Sequence, residues 1–271
     1  MTLVPVESID DPRLAPYRQL NERNLTRQSG LFIAEGEKVV ERLIGSRFEV
    51  ASILAEPAHA ERYAERLATD VPIYVASRSL LEATIGFNFH RGVLACGRRS
   101  SEMTVAALLE SSAARSTLVV CPVVQDPTNL GSVIRTTAAF GCAGIVLGPS
   151  CADAFSRRVV RVSMGAALHL PIVESSALLA DLQRLKDAGF ELVATVVGDS
   201  AAEPLWSFRP SSPAAILFGS EGHGLAAEHL ALCHRRVTIP MQLGVDSLNV
   251  AVAAAVVLYE LTRAGQRPAP P

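Results

Sequence analysis

The chain has 271 residues, room for one large domain or two small ones, and 49% of them are apolar, enough for a sizeable core. Net charge is −2, so the overall balance does not advertise nucleic acid, and five cysteines without a C-x-x-C pair exclude a disulfide framework and a structural zinc site. The longest apolar run, residues 250–259, is about half of what a bilayer-spanning helix needs. The N-terminus lacks the basic-then-apolar layout of a signal peptide, so a cytoplasmic protein with no membrane or metal partner is expected. Cys96, Cys121, Cys142, Cys151 and Cys233 read as buried thiols. The basic residues are almost all Arg, with Lys only at 38 and 186, which is compatible with reading phosphate and stacking on bases.

Residues 1–97 alternate helical and strand patterns. Residues 32–44 (FIAEGEKVVERLI) carry apolar positions three and four apart and predict one helix, ended by Gly45. Ser52–Leu54, Ile73–Val75 and Gly92–Cys96 read as short strands, and Ser77 as the cap of a helix over 78–84. Residues 98–116 are small, polar and charged and read as a linker with one short helix capped by Thr104. From Leu118 strands and helices alternate steadily. The strands are Leu118–Val124, Ile145–Leu147, Leu170–Val173, Glu191–Val196, Ala215–Phe218 and Val237–Ile239. The helices cover roughly 130–140, 153–166, 176–188, 225–232 and 248–264. Continuous apolar strands suit a parallel sheet buried on both faces, so the fold class is α/β. The organisation expected is a small α/β domain at 1–97, a linker at 98–116, an α/β domain at 117–264 and a disordered tail at 265–271.

Three segments carry chemistry, each at the carboxyl end of an expected strand, where open α/β sheets place ligands. In QDPTNLGSVIRTTAAFG (125–141), Asn129 stands at a helix start, which by itself reads as an N-cap. Arg135 follows within a small, apolar helix and needs a phosphate or a carboxylate for a partner. In ILFGSEGHGL (216–225), a buried strand runs into a loop where Gly219, Gly222 and Gly224 permit positive φ or close backbone approach around one carboxylate, Glu221. No G-x-G-x-x-G, P-loop or G-x-S-x-G spacing is present, which disfavours dinucleotide enzymes, P-loop nucleotidases and α/β-hydrolases. In IPMQLGVDSLNVAVAAAVVLYEL (239–261), Pro240 stops a strand and a helix begins near Ser247, its candidate cap. Asn249 falls in the first turn of that Ala- and Val-rich helix, where Asn is a poor helix former without a purpose.

Together and in this order, the segments resemble the three motifs of the SpoU (TrmH) branch of the SPOUT methyltransferases. The matching residues are N-x-G-x-x-x-R from Asn129 to Arg135, F-G-S-E-G from Phe218 to Gly222, and I-P-M with S-L-N between Ile239 and Asn249. FIAEGEKVVERLI and HRGVLA (His90–Ala95) are similar to the family's substrate-binding domain, which has a ribosomal-protein-L30e-like fold. The resemblance implies a catalytic domain with a parallel sheet and a deep trefoil knot. It implies S-adenosyl-L-methionine bent against the backbone of Gly219, Ile239 and Leu248, with Met241 and Glu221 nearby. It implies a homodimer in which Arg135 reaches the methyl donor of the neighbouring subunit. The activity implied is methylation of a ribose 2′-OH in structured RNA.

Because a sulfonium is already electrophilic, the remaining task is to position a poor nucleophile, and no metal is needed. The resemblance implies Arg135 as the activator; because Arg is a poor base, it is expected to hold the adjacent phosphate and orient the 2′-OH, while Asn129, Ser247 and Asn249 position the ribose and Arg135. Glu221 orders that network or contacts a partner chain. Arg13, Arg18, Arg23, Arg27 and Arg91 are the candidate RNA contacts of the first domain. Ribosomal RNA is expected ahead of transfer RNA, by analogy with relatives that carry such a domain. The rivals are a catalytically silent RNA-binding ribosome-assembly factor, a base methyltransferase of a related SPOUT branch, and an unrelated nucleotide-dependent enzyme.

Overall fold

The computed structural model describes residues 3–20, 29–67, 70–99, 103–111, 117–210, 213–220, 222–243 and 246–266. The chain forms two compact units. One comprises Met1–Ser101 with Asp153–His169, the other Glu102–Ala152 with Leu170–Pro271.

The first unit is built on a five-stranded mixed sheet among the described residues. Its strands are β1 (Leu3–Pro5), β2 (Leu31–Glu35), β3 (Glu49–Ala55), β4 (Ile73–Val75) and β5 (Val93–Arg98), in the order β1-β4-β3-β5-β2. Helices α1 (Glu37–Ile44), α2 (Pro57–Ala64) and α3 (Arg78–Ile85) connect them, and a 3-10 helix covers Pro12–Tyr17. The single helix expected over 32–44 is a strand followed by a helix. The run FIA is buried on both faces of the sheet, so it shows no alternation, and its apolar residues merge with the helical set Val39, Val40 and Leu43. Gly36, at φ 87, breaks the two apart. The strands at 52–54, 73–75 and 92–96 and the helix at 78–84 appear within a few residues of expectation, and Ser77 Oγ accepts from Leu80 N at 3.3 Å. One core gathers Leu14, Tyr17, Ile33, Leu54, Leu81, Phe89 and Leu94. There the Tyr17 hydroxyl shares a 2.8 Å hydrogen bond with Ser52 Oγ, and burial pushes its phenol well above the ordinary value.

Residues 153–169 lie in sequence within the stretch read as 117–264, yet they pack in this unit. The expected helix over 153–166 is shorter, α4 (Arg157–Val162), and Met164 (φ 53) and Gly165 (φ 79) turn the chain into a 3-10 turn at Ala166–Leu168. Phe155 completes an aromatic cluster, 5.7 Å from Phe32 and 5.3 Å from Phe48 between ring centroids. Gly97 makes room for it, because a Cβ there would meet the Phe32 ring at 2.4 Å.

The second unit contains α5 (Val105–Ser111), β6 (Thr117–Cys121), α6 (Pro127–Ala139), β7 (Gly144–Leu147), β8 (Ile172–Glu174), α7 (Leu178–Asp187), β9 (Glu191–Thr195), β10 (Glu203–Pro204), β11 (Ala214–Leu217), α8 (Ala227–Leu232), β12 (Arg235–Thr238) and α9 (Val250–Gln266). Its described strands form one sheet in the order β10-β12-β9-β11-β6-β7-β8, and every pairing is parallel. This is the α/β architecture expected from the continuous apolar runs. Leu118, Val120, Leu192 and Leu217 meet Leu178, Leu182 and Leu185 of α7 in one core. Val105 and Leu108 of α5 belong to that same core, so the helix capped by Thr104 Oγ1 is structural rather than a free connector. Helices α6 and α9 pack on each other and bury Leu130, Val133 and Ile134 with Ala254, Val257 and Leu258. α9 runs to Gln266, two residues into the stretch read as a tail, and residues 267–271 lie outside the described ones.

Cys96, Cys121, Cys142 and Cys151 are buried, as expected, and Cys233 is half-buried. Burial pushes the Cys96 and Cys142 thiols up to about 12 and Cys233 to about 11. No described helix is long and apolar enough to cross a membrane.

Candidate active site

Strands β12, β9, β11 and β6 are neighbours in one parallel sheet, so their carboxyl ends share an edge. The three motif segments leave from β6, β11 and β12 at this edge, where the strands of an open sheet end in ligand-binding loops. Asp126 caps α6, accepting from Thr128 N at 2.7 Å and Asn129 N at 2.9 Å, with Pro127 in the first turn. Asn129 is therefore not the cap, and its side chain has another use. Asn249, rather than Ser247, caps α9: its Oδ1 accepts from Ala251 N at 2.9 Å and Val252 N at 3.4 Å. Its Nδ2 donates to Asn129 Oδ1 at 3.0 Å. One hydrogen bond thus ties the start of α6 to the start of α9, across 120 residues of sequence.

The glycine loop closes on itself. Ser220 and Gly224 exchange backbone hydrogen bonds of 3.0 and 3.1 Å. Gly222 (φ 89) and Gly224 (φ 64) take the left-handed backbone, as the sequence suggested. Gly219 serves the other purpose: a Cβ there would lie 2.4 Å from the Gly224 carbonyl carbon, so only hydrogen fits. Glu221 lies outside the described residues. Ile239, Met241 and Leu248 are half-buried, and Ser247 is exposed.

Arg135 is exposed on α6, about 9 Å along the helix axis from Asn129 at 1.5 Å per residue. Among the described residues it makes no hydrogen bond or ion pair, so no structural salt bridge occupies it. The structure brings Asn129 and Asn249 together and places Gly219 past β11 and Ile239 and Met241 past β12, at carboxyl ends on either side of β9. It shows no contact joining Arg135 or Ser247 to them.

Three features escaped the sequence. Asp126 was legible as an Asp-Pro start before an apolar helix. The Val196–Asp199 loop leaves β9 at the same edge and continues the sheet, Val196 N bonding Val237 O at 2.9 Å. Thr195 Oγ1 donates to Leu217 O at 2.8 Å and ties that strand end to the glycine loop's strand. No local pattern marks either. Asp199 pairs with Arg236 at 2.9 Å, and that hydrogen bond holds its carboxyl below the ordinary value.

In the first unit, two of the expected RNA contacts are tied up locally. Arg13 forks onto Asp11, and Arg18 donates to the carbonyls of Ile9 at 3.0 Å and Asp11 at 2.8 Å. Arg23 and Arg27 lie outside the described residues. Arg91 packs along Gly36, where a Cβ would meet its Cδ at 2.9 Å, and pairs with Glu35 at 3.7 Å.

Residues 116–259 match the model of the SpoU rRNA Methylase family. The chain belongs to this family. Residues 11–85 of this SpoU methylase match the MRM3-like substrate binding domain. An uncharacterized tRNA/rRNA methyltransferase of Mycobacterium tuberculosis is 39% identical over 96% of this chain and 92% of its own length. The 23S rRNA (guanosine(2553)-2'-O)-methyltransferase RlmP of Bacillus subtilis is 29% identical over 94% of this chain and 98% of its own. The crystal structure of an AdoMet-bound rRNA methyltransferase from Sinorhizobium meliloti superposes with a TM-score of 0.84 at 26% identity, covering 98% of this chain and 99% of that one.

The strand-end residues of this SpoU methylase suit S-adenosylmethionine. Half-buried Ile239, Met241 and Leu248 offer apolar surface for an adenine face, and the side-chain-free backbone at Gly222 and Gly224 lets a polar group approach closely, while Gly219 lets the loop fold tightly on itself. Among the described residues no group of acidic, His and Cys side chains is arranged to hold a metal ion.

Proposed function

We propose that the chain transfers a methyl group from S-adenosylmethionine to a ribose 2′-OH of structured RNA, with ribosomal RNA its substrate ahead of transfer RNA. The observation that carries this reading is the Asn249–Asn129 hydrogen bond, which joins the first and third motifs. When bound, S-adenosylmethionine supplies a sulfonium-activated methyl group. Residues Gly219, Ile239, Met241 and Leu248 would hold it, and Glu221 is the carboxylate assigned to the same loop by its place in the sequence. Arg135 grips the phosphate next to the target ribose with its planar guanidinium and orients the 2′-oxygen. The hydroxyl proton would leave to that phosphate or to water while the O–CH3 bond forms and the methyl–sulfur bond breaks, its electron pair staying on a neutral thioether. Asn129 and Asn249 fix the start of α6, and hence the line along which Arg135 projects. Ser247 stands exposed on the same segment, available to the ribose.

The active form is a homodimer. On α9, Val252, Val256 and Tyr259 are exposed at spacings of four and three, and the Tyr259 ring lies 6.3 Å from Phe140, just past α6. A second copy covering this face stands next to Arg135, which is free to reach across to the neighbouring methyl donor. RNA is gripped by arginines of the first unit, among them Arg91.

The test is transfer of labelled methyl to unmodified rRNA and tRNA, followed by alkaline hydrolysis. A labelled, alkali-stable dinucleotide from rRNA is the expected result. Label released as a mononucleotide means base methylation and overturns the ribose assignment, and label in tRNA alone overturns the substrate. In the same assay Arg135→Ala should bind S-adenosylmethionine normally but turn over about 10²–10³-fold more slowly. Full turnover would sink its role.

A further inference from the structure

In the first unit three guanidiniums converge on one carboxylate. Glu35, at the end of β2, is only 3% exposed. Arg157 meets it at 2.6 Å, while Arg161 and Arg91 stand at 3.5 and 3.7 Å. Arg157 lies over the Phe87 ring, 4.4 Å from its centroid, and is the most deeply packed of the three. Burial holds its guanidinium below the ordinary value, opposed by Glu35. A carboxylate carries one negative charge and is satisfied by one good guanidinium fork. Of the other two cations, Arg161 makes only a long 3.5 Å hydrogen bond to Glu35 and Arg91 stands beyond hydrogen-bonding distance, with 48% of Arg91 and 40% of Arg161 exposed. The nearest further acid on α1, Glu37, is committed to His59 and Arg62 at 3.0 Å each. Like charges gathered around a single buried anion repel one another, and an additional anion on the exposed side relieves that repulsion.

We infer that Arg91 and Arg161 form a clamp for the phosphodiester backbone of RNA, set in place by Glu35 and Arg157. This rests on the RNA-methyltransferase reading and deepens it. It moves the grip from the expected row Arg13 to Arg27 onto a face to which residues 153–169 contribute. The chemistry suits a phosphodiester: planar forks with several donors still facing water match its paired anionic oxygens. The open, half-exposed setting suits a polymer passing over the surface rather than a small anion enclosed in a pocket. Gly36 is part of the device, since a side chain there would push against Arg91.

The test measures affinity of the full chain for an unmodified rRNA fragment across a series of salt concentrations, for wild type, Arg161→Gln, Arg91→Gln and the double variant. S-adenosylmethionine binding and thermal unfolding are followed in parallel. Each single variant should weaken RNA binding by roughly 5–10-fold and lower the slope of log K against log salt by about 1, and the double variant by about 2. S-adenosylmethionine affinity should stay unchanged. Arg161→Lys, which keeps the charge, should retain most of the slope and guards against a folding defect in the Gln variant. A wild type with salt-dependent RNA binding and an Arg161→Gln variant of the same affinity and slope overturns the clamp and leaves the methyltransferase reading standing. A wild type that binds no RNA at low salt overturns both.

Discussion

The first unit buries a carboxylate, Glu35, against Arg157, whereas the second joins its motif loops through two neutral amides, Asn129 and Asn249. The first arrangement is rigid and electrically unbalanced. Removing charges from water is costly, so the pair holds only while both partners stay in place, and its surplus positive charge faces outward. The second is cheap and electrically silent. A neutral hydrogen bond contributes about 1 kcal/mol net and brings no countercharge to that end of the sheet. A binding surface gains from surplus charge. A reaction centre of the proposed kind gains from geometry that adds no charge beside Arg135.

Removing the carboxylate attacks the contrast where it is strongest. Glu35→Ala leaves Arg157 packed without its partner and should cost about 3 kcal/mol, the low end of the range for a broken buried pair, because Arg157 keeps some exposure. Denaturant unfolding measures it, and a change below about 1 kcal/mol would show that Glu35 is not the anchor. Asn249→Ala should cost only about 1 kcal/mol, the worth of an N-cap. Its larger effect is on turnover, which should fall about 10–100-fold as α6 and α9 lose their tie, with S-adenosylmethionine affinity little changed. A variant that lost stability with unaltered turnover would reduce Asn249 to a cap. The smallest effect sits at the exposed end of the first unit. The Arg13 side chain, hydrogen-bonded to Asp11, holds that carboxyl at about 2, below its ordinary 3.8. A lowered folded value means the contact stabilises above the unfolded pKa and is lost as pH falls toward 2. An NMR titration of Asp11 in Arg13→Ala should return it toward 3.8, and an unmoved value would show that Arg13 is not the cause.

Local signals served best where one residue type has one physical use. Ser77 and Thr104 cap the helices they precede, and Gly222 and Gly224 take positive φ. They failed where two uses share a residue type. Asn129 reads locally as an N-cap and Asn249 as a first-turn amide, and only the fold shows that Asp126 relieves the first of capping while the second caps and cross-links at once. Buried β2 and helical α1 present a single apolar pattern, separated only by Gly36, so their border was invisible to periodicity.

What the sequence determined by itself is the parallel α/β character of residues 117–264, because strands buried on both faces must be apolar throughout. It also determined the three motif segments, because glycines, Pro240 and capping residues act within a few positions of themselves. What tertiary structure alone decided is the company each residue keeps. Residues 153–169 join the first unit, Arg157 and Arg161 meet Glu35, and Asn249 meets Asn129 across distances in sequence that no local propensity spans. Such contacts form only when the packed faces of separate elements bring them together, so their charge balance and hydrogen bonds belong to the fold and to no single segment.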